Sequence, residues 1–203
     1  MVANLARSRG STDQECVAQL SVWSPAIEAV EYIEYNWGNE FNSTSKFRGP
    51  PTPELEQAWT DVSLKHGISV PQDKLSFLNR TDDDHVQHID EDPTKGYTGL
   101  LEVFHQLHCL NLVRQYTWLL MGKYQDMDTP TSLTAGPVGN RMHADHCIET
   151  LRLALMCQSD ITPVLVIADP SAPIGNRADF NSYHKCRNFG KIEAWMDENW
   201  TTP

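Results

Sequence analysis

The chain has 203 residues, 40% of them hydrophobic, enough to bury a sizeable core in one moderate domain. Its formal charge of -11 argues against holding a nucleic-acid backbone or an anionic membrane surface by bulk electrostatics, so no nucleic-acid partner is expected. No stretch approaches the roughly 18 uninterrupted apolar residues of a spanning helix, and the start of the chain lacks the apolar centre of a signal peptide, so a soluble chain is expected.

Residues 1–20 are polar and read as a mobile N-terminal arm, with 21–203 as a single domain. In "SPAIEAVEYIEYNWG", Ser24 as N-cap, Pro25 at the first helical position and Gly38 as a stop predict a first helix. "FNSTSKFRGPP" is an exposed loop, and "TPELEQAWTDVSLKHG" repeats the start and stop logic with Thr52, Pro53 and Gly67. The acidic stretch that follows, to Gly99, is rich in breakers and reads as irregular with at most a short strand. Leu100 to Met121 contains no Pro or Gly, is dense in Leu and is punctuated by Gly99 and Gly122, which predicts a long helix. A loop, "DTPTSLTAGPVG", leads to a second long helix from Asn140 to about Cys157. "PVLVI" suits a short strand, "ADPSAPIGNRADF" a loop, and Phe189, Ile192, Trp195 and Met196 mark a short C-terminal helix. The expected fold class is therefore mainly α, a single domain with two central packed helices, irregular loops and short strands.

Both central helices carry the same pattern, His-x-x-His-Cys: "HQLHC" at His105 to Cys109 and "HADHC" at His143 to Cys147. Residues three or four apart share a helix face, so His105 and His108 project together, as do His143 and His146. Leu101, His105, His108, Leu112 and Leu119 form one row, which predicts buried imidazoles, while Arg141, Asp145, Glu149 and Arg152 take the solvent side of the second helix. Buried imidazoles need partners, and two helices packed with their histidine faces together would satisfy all four through a metal. At least three of His105, His108, His143 and His146 are thus expected to ligate a metal and to act in any catalysis through it. An imidazole set suits copper, zinc, iron or nickel, and copper stands highest in the affinity order.

The five cysteines leave four to consider once Cys16 is assigned to the arm. Cys147 and Cys157 would lie about 15 Å apart along one helix, which prevents their pairing. Cys109 with Cys147 plus Cys157 with Cys186, or Cys109 with Cys157 plus Cys147 with Cys186, both remain open, as do four reduced thiols. Cys109 lies about 80° round the helix from the histidine row and favours a disulfide; Cys147, about 40° from His143, is the better thiolate candidate of the two, though a disulfide ranks first for it as well. Asn42, Asn79 and Asn199 each begin an Asn-x-Ser/Thr sequon and are glycosylation candidates for a lumenal domain. His88 and Asp90 have the spacing of some iron sites but read as solvated loop. His184 reads as structural or substrate-side, and Tyr116, about 60° from the histidine row, as core.

With its doubled motif the chain resembles the UstYa-like family of fungal secondary-metabolite oxidases, whose signature is a pair of His-x-x-His-Cys motifs. "FRGPPTPELEQAW", "EVFHQLHCLNLVRQ", "HADHCIETLRLALMCQSDITP" and "HKCRNFGKIEAW" extend the resemblance over about Phe47 to Trp195. It implies a copper-dependent, O2-using oxidase that tailors a peptide or peptide-derived natural product by macrocyclisation, hydroxylation, desaturation or halogenation. The alternatives are iron or zinc, a zinc-dependent non-oxidative enzyme, and a non-catalytic partner of a paralogous oxidase. The resemblance also implies a disulfide role for Cys109, Cys147, Cys157 and Cys186, a secretory-pathway lumen, and homo- or hetero-oligomers with a family paralogue. Family members are commonly anchored by an N-terminal membrane helix, for which this sequence offers no apolar stretch.

Overall fold

Small polar side chains that occupy free amide groups set where the first two α-helices begin. In the computed structural model, which describes residues 10–201, α1 (Asp13–Leu20) opens with a capping box. Thr12 accepts from the Glu15 amide at 3.1 Å, and Glu15 accepts from the Thr12 amide at 2.8 Å. An ordered helix therefore stands at Asp13–Leu20, where a mobile arm was expected. Val17 is buried, Gln14 donates to the Val30 carbonyl at 2.6 Å, and Asp13 accepts from the Tyr32 amide at 2.8 Å. The rest of that arm, 1–9, lies outside the described residues.

The helix expected after Ser24 is the largest departure. Ser24 does cap, accepting from the Ala26 amide at 3.2 Å, but Pro25–Ala29 is a short 3-10 turn and the chain then extends into β1 (Tyr32–Asn36). Tyr32, Ile33 and Tyr35 suit a pleated strand, and the strand finds its partner far away in sequence, at Tyr183–Arg187. That partner is invisible to local periodicity.

Thr52 caps α2 (Pro53–Ser63) by accepting from the Leu55 amide at 3.2 Å, and the helix buries Leu55, Ala58 and Trp59. The irregular stretch holds two short strands, β2 (Ile68–Val70) and β3 (Tyr97–Gly99), paired antiparallel with Val70 opposite Tyr97. α3 spans Glu102–Leu120, and α4 spans Gly136–Gln158, starting before the expected Asn140. β4 (Val166–Ala168) pairs antiparallel with β5 (Asn176–Ala178), inside the expected loop. β6 (Tyr183–Arg187) and α5 (Phe189–Asn199) complete the chain. The fold is mainly α.

Contacts gather the described chain into two compact units, neither continuous in sequence: 10–34, 68–99 and 185–201 in one, 35–67 and 100–184 in the other. The first has a core of Val70, Leu75 and Tyr97, with Trp23, Leu78 and Val86 against it. Gly96 passes so close to β2 that a Cβ would meet the Val70 carbonyl at 2.8 Å, and its φ of +81° also favours glycine. The second unit is built on α3 packed against α4, with Cys109, Leu112, Leu133, Ala144 and Cys147 at its centre.

Within the second unit a carboxylate from α2 ties three groups together. Glu56 accepts from Arg114 Nη2 at 2.6 Å, from Gln115 Nε2 at 2.8 Å and from the Tyr124 hydroxyl at 2.8 Å. Burial pushes the Glu56 carboxyl up, but hydrogen bonds from Arg114, Gln115 and Tyr124 outweigh it and hold the pKa below the ordinary 4.5. The stabilisation is therefore complete above that value and is lost as pH falls through the folded pKa. We expect Glu56→Gln to lower stability by about 2 kcal/mol at neutral pH, with the deficit shrinking under acid. Urea unfolding of both proteins across this range checks it; a deficit independent of pH would refute the assignment.

Candidate metal centre

Two helices of equal motif spacing, packed in opposite directions, place the first histidine of each motif against the second of the other. The His105 and His146 rings lie 5.9 Å apart between centroids, and the His108 and His143 rings 6.1 Å apart. All four histidines predicted as ligands thus meet across the seam between α3 and α4, as two facing pairs. Their burial differs from the expectation: His105, His108 and His143 are half-buried and His146 is exposed. The seam's dry interior belongs instead to Cys109, Leu112, Ala144 and Cys147, all at most 1% exposed. The histidines line its open edge. The solvent side of α4 is as expected, with Arg141 paired to Asp145 and Arg152 to Glu149.

For His143 a hydrogen bond fixes which ring nitrogen is free. His143 Nδ1 lies 3.2 Å from the Ser132 carbonyl, which can only accept, so Nδ1 carries the proton and Nε2 keeps its lone pair. His105 Nδ1 stands 3.4 Å from a Glu102 carboxylate oxygen, and its Nε2 is 3.8 Å from Cys109 Sγ. Burial, with the charges of His143 and His105, lowers the His108 pKa and favours the neutral ring that a metal requires.

Among the described residues, one group of His, Cys, Asp or Glu side chains is close enough to share an ion: the ligand atoms of His105, Cys109 and His146 all lie within 4.8 Å of one another. Two imidazoles and a thiol are a donor set for copper or zinc. Cys109, not Cys147, is thus the thiol beside the histidines. It sits one turn beyond His105, and residues four apart stack along a helix, so its angular distance from that ring is smaller than the row as a whole suggests. Cys147 is fully buried beside Cys109, and burial with the Cys109 contact pushes its thiol up to about 12. Cys109, Cys147, Cys157 and Cys186 all carry free thiols. Cys109 faces Cys147, while Cys157 is exposed further along α4, so the geometry speaks against pairing Cys109 with Cys157.

An open cleft of about 950 Å³ adjoins His108, lined among others by Glu56, Asn111, Leu112, Gln115 and Ser132. The remaining candidates are structural. His88 stacks on Tyr97 and its Nδ1 donates to the Gly96 carbonyl at 3.3 Å, while Asp90 pairs with Lys95. His184 is buried, stacked on Trp37 at 3.7 Å, with Nδ1 donating to the Ser182 carbonyl. Tyr116 packs against the central cluster of its unit. Asn42, Asn79 and Asn199 are all exposed. No helix among the described residues is long and apolar enough to cross a membrane.

Sequence reasoning missed Glu56, Gln115 and Ser132, which line the cleft beside His108. Nothing in "PELEQAW" separates Glu56 from an ordinary first-turn acid; its role exists only because Arg114 and Gln115 pack onto it.

The family model described as mycotoxin biosynthesis protein UstYa matches residues 1–199. The chain is 40% identical over 190 residues to the transacylase cctO of Talaromyces islandicus, covering 93% of this chain and 63% of that protein. It is 40% identical over 194 residues to the UstYa family oxidase phomYc of Diaporthe leptostromiformis, covering 95% and 75%, respectively. Identity to the UstYa family oxidase aprY of Aspergillus flavus is 27% over 191 residues, covering 89% of this chain and 56% of that protein. This chain therefore spans between 56% and 75% of the length of these three relatives. No solved structure matches it. A match along almost the whole sequence, a span that includes both histidine motifs, means that the chain belongs to the UstYa family.

Proposed function

We propose that this chain is a copper-dependent oxidase that tailors a fungal peptide or related natural product with O2. The observation that carries the reading is the meeting of four histidines across one helix seam in two facing pairs. Relatives named oxidases support the reaction class. The donor set fits copper: His105, Cys109 and His146 hold three ligand atoms together, and His108 with His143 adds a second imidazole pair. When bound, copper would supply one-electron chemistry with O2 that protein side chains lack.

The chain's own residues supply position and access. α3 and α4 fix the imidazoles on a rigid seam, and the Ser132 carbonyl orients His143. Half-exposed rings leave the site open, and the cleft beside His108 offers room for a substrate larger than a single amino acid.

A second, non-oxidative reading has one specific support, the relative named a transacylase. The two readings separate on oxygen. With the pathway intermediate that accumulates in a strain lacking this protein, the copper-loaded protein should form product in air and none under strict anaerobiosis. Equal turnover without O2 would favour the transacylase-like alternative.

Metal analysis tests the site itself. Purified protein reconstituted with Cu(II) should hold stoichiometric copper with an electron paramagnetic resonance signal. His105→Ala and His143→Ala should each weaken copper binding by about tenfold or more while the helical circular dichroism signal is kept. Copper retention unchanged in a protein lacking all four imidazoles would end the proposal.

A further inference from the structure

We propose that Gln115 and Ser132 are positioning residues that hold His143 as its Nδ1-H tautomer, with Glu56 as their anchor. The inference rests on the metal reading above only for what Nε2 is kept ready to bind.

The argument starts at Glu56. Its ionised carboxylate can only accept, so the Gln115 amide must turn its NH2 toward it, as the 2.8 Å contact shows. The opposite edge of that amide, Oε1, is thereby aimed away from α2, and it accepts from the Ser132 hydroxyl at 3.3 Å. Ser132 lies in the 3-10 turn Thr131–Leu133, and the same residue's carbonyl accepts from His143 Nδ1 at 3.2 Å. A continuous set of hydrogen bonds thus runs from a carboxylate on α2, through α3, to an imidazole on α4.

The turn is held from its other side as well. Asn140 is buried, donates from Nδ2 to the Leu133 carbonyl at 2.7 Å and accepts from the Ala135 amide at 3.0 Å. Asn140 precedes His143 by three residues, about one helical turn, so the turn's carbonyl and the ring that reads it are referenced to the same helix. Arg114 closes the anchor by donating to Glu56 at 2.6 Å and, through Nε, to Asn111 Oδ1 at 2.9 Å. Glu56 is therefore already occupied by three donors, which fixes the direction of the Gln115 amide.

A carbonyl acceptor at Nδ1 leaves the lone pair on Nε2. Outer groups of this kind set ring orientation and donor strength at metal sites. Nothing in the His-x-x-His-Cys string specifies that choice; it is made by residues outside both motifs, on α2, on α3 and in the turn Thr131–Leu133.

The test uses 15N-labelled, metal-free protein, with long-range proton to 15N correlations reading the tautomer of His143. Wild type should show Nδ1-H. Ser132→Ala and Gln115→Leu should each turn His143 into a tautomer mixture, while Ser132→Thr, which keeps the hydroxyl, should preserve Nδ1-H. Far-UV circular dichroism reports folding, and if Gln115→Leu fails to fold, the two Ser132 variants decide. Cu(II) titration should follow the tautomer, with affinity about tenfold or more lower in Ser132→Ala and restored in Ser132→Thr. A wild-type His143 protonated on Nε2, or Nδ1-H unchanged in the folded Ala and Leu variants, would overturn the proposal. Tautomers behaving as expected in a protein that takes up no copper would support it while removing the copper reading alone.

Discussion

The close, antiparallel packing of α3 on α4 is the constraint on which the site depends. Cys109, Leu112, Ala144 and Cys147 exclude water completely along the seam, and three of the four are small enough to let two helix backbones approach. Once that seam closes, the histidines have no freedom to choose partners. Equal spacing in two antiparallel motifs brings the outer histidine of one to the inner histidine of the other, giving both facing pairs at almost the same separation. The repetition of a five-residue string thus has a geometric cause, since one helix offers two donors on one face and a second copy completes them.

Stability and chemistry are divided across the width of this seam. Its dry side is thiol, leucine and alanine, where removal from water is favourable without further partners. Its open side is imidazole, whose ring nitrogens keep access to solvent, to a metal and to a substrate. Full burial would have made each unliganded ring costly. Half-burial lets the metal-free chain fold with its donors in place. The carboxylate of Glu56 serves both sides, because the groups it ties together brace α2 on α3 and also line the cleft beside His108.

Legibility in the sequence tracks how local each cause is. The two central helices were legible because long Leu-rich stretches between glycines have one reading, and the solvent face of α4 followed from charge spacing. The segment after Ser24 was misread because its cap is real, but a strand partner at Tyr183–Arg187 decides the outcome beyond the first turn. Asp13–Leu20 looked like a mobile arm because its polarity hides one buried residue, Val17. The thiol beside the histidines was misjudged because averaging over a helix row hides the single-turn stacking of Cys109 on His105.

By itself, then, the sequence determined that four histidines lie on two helix faces, since helical period and residue spacing are properties of a single segment. Only the tertiary structure decided which histidines face each other, that Cys109 joins His105 and His146, and which nitrogen of His143 is free. Those outcomes depend on the direction in which two helices pack and on a hydrogen-bond acceptor supplied from outside the helix. Neither is encoded in the motif that carries the ligands.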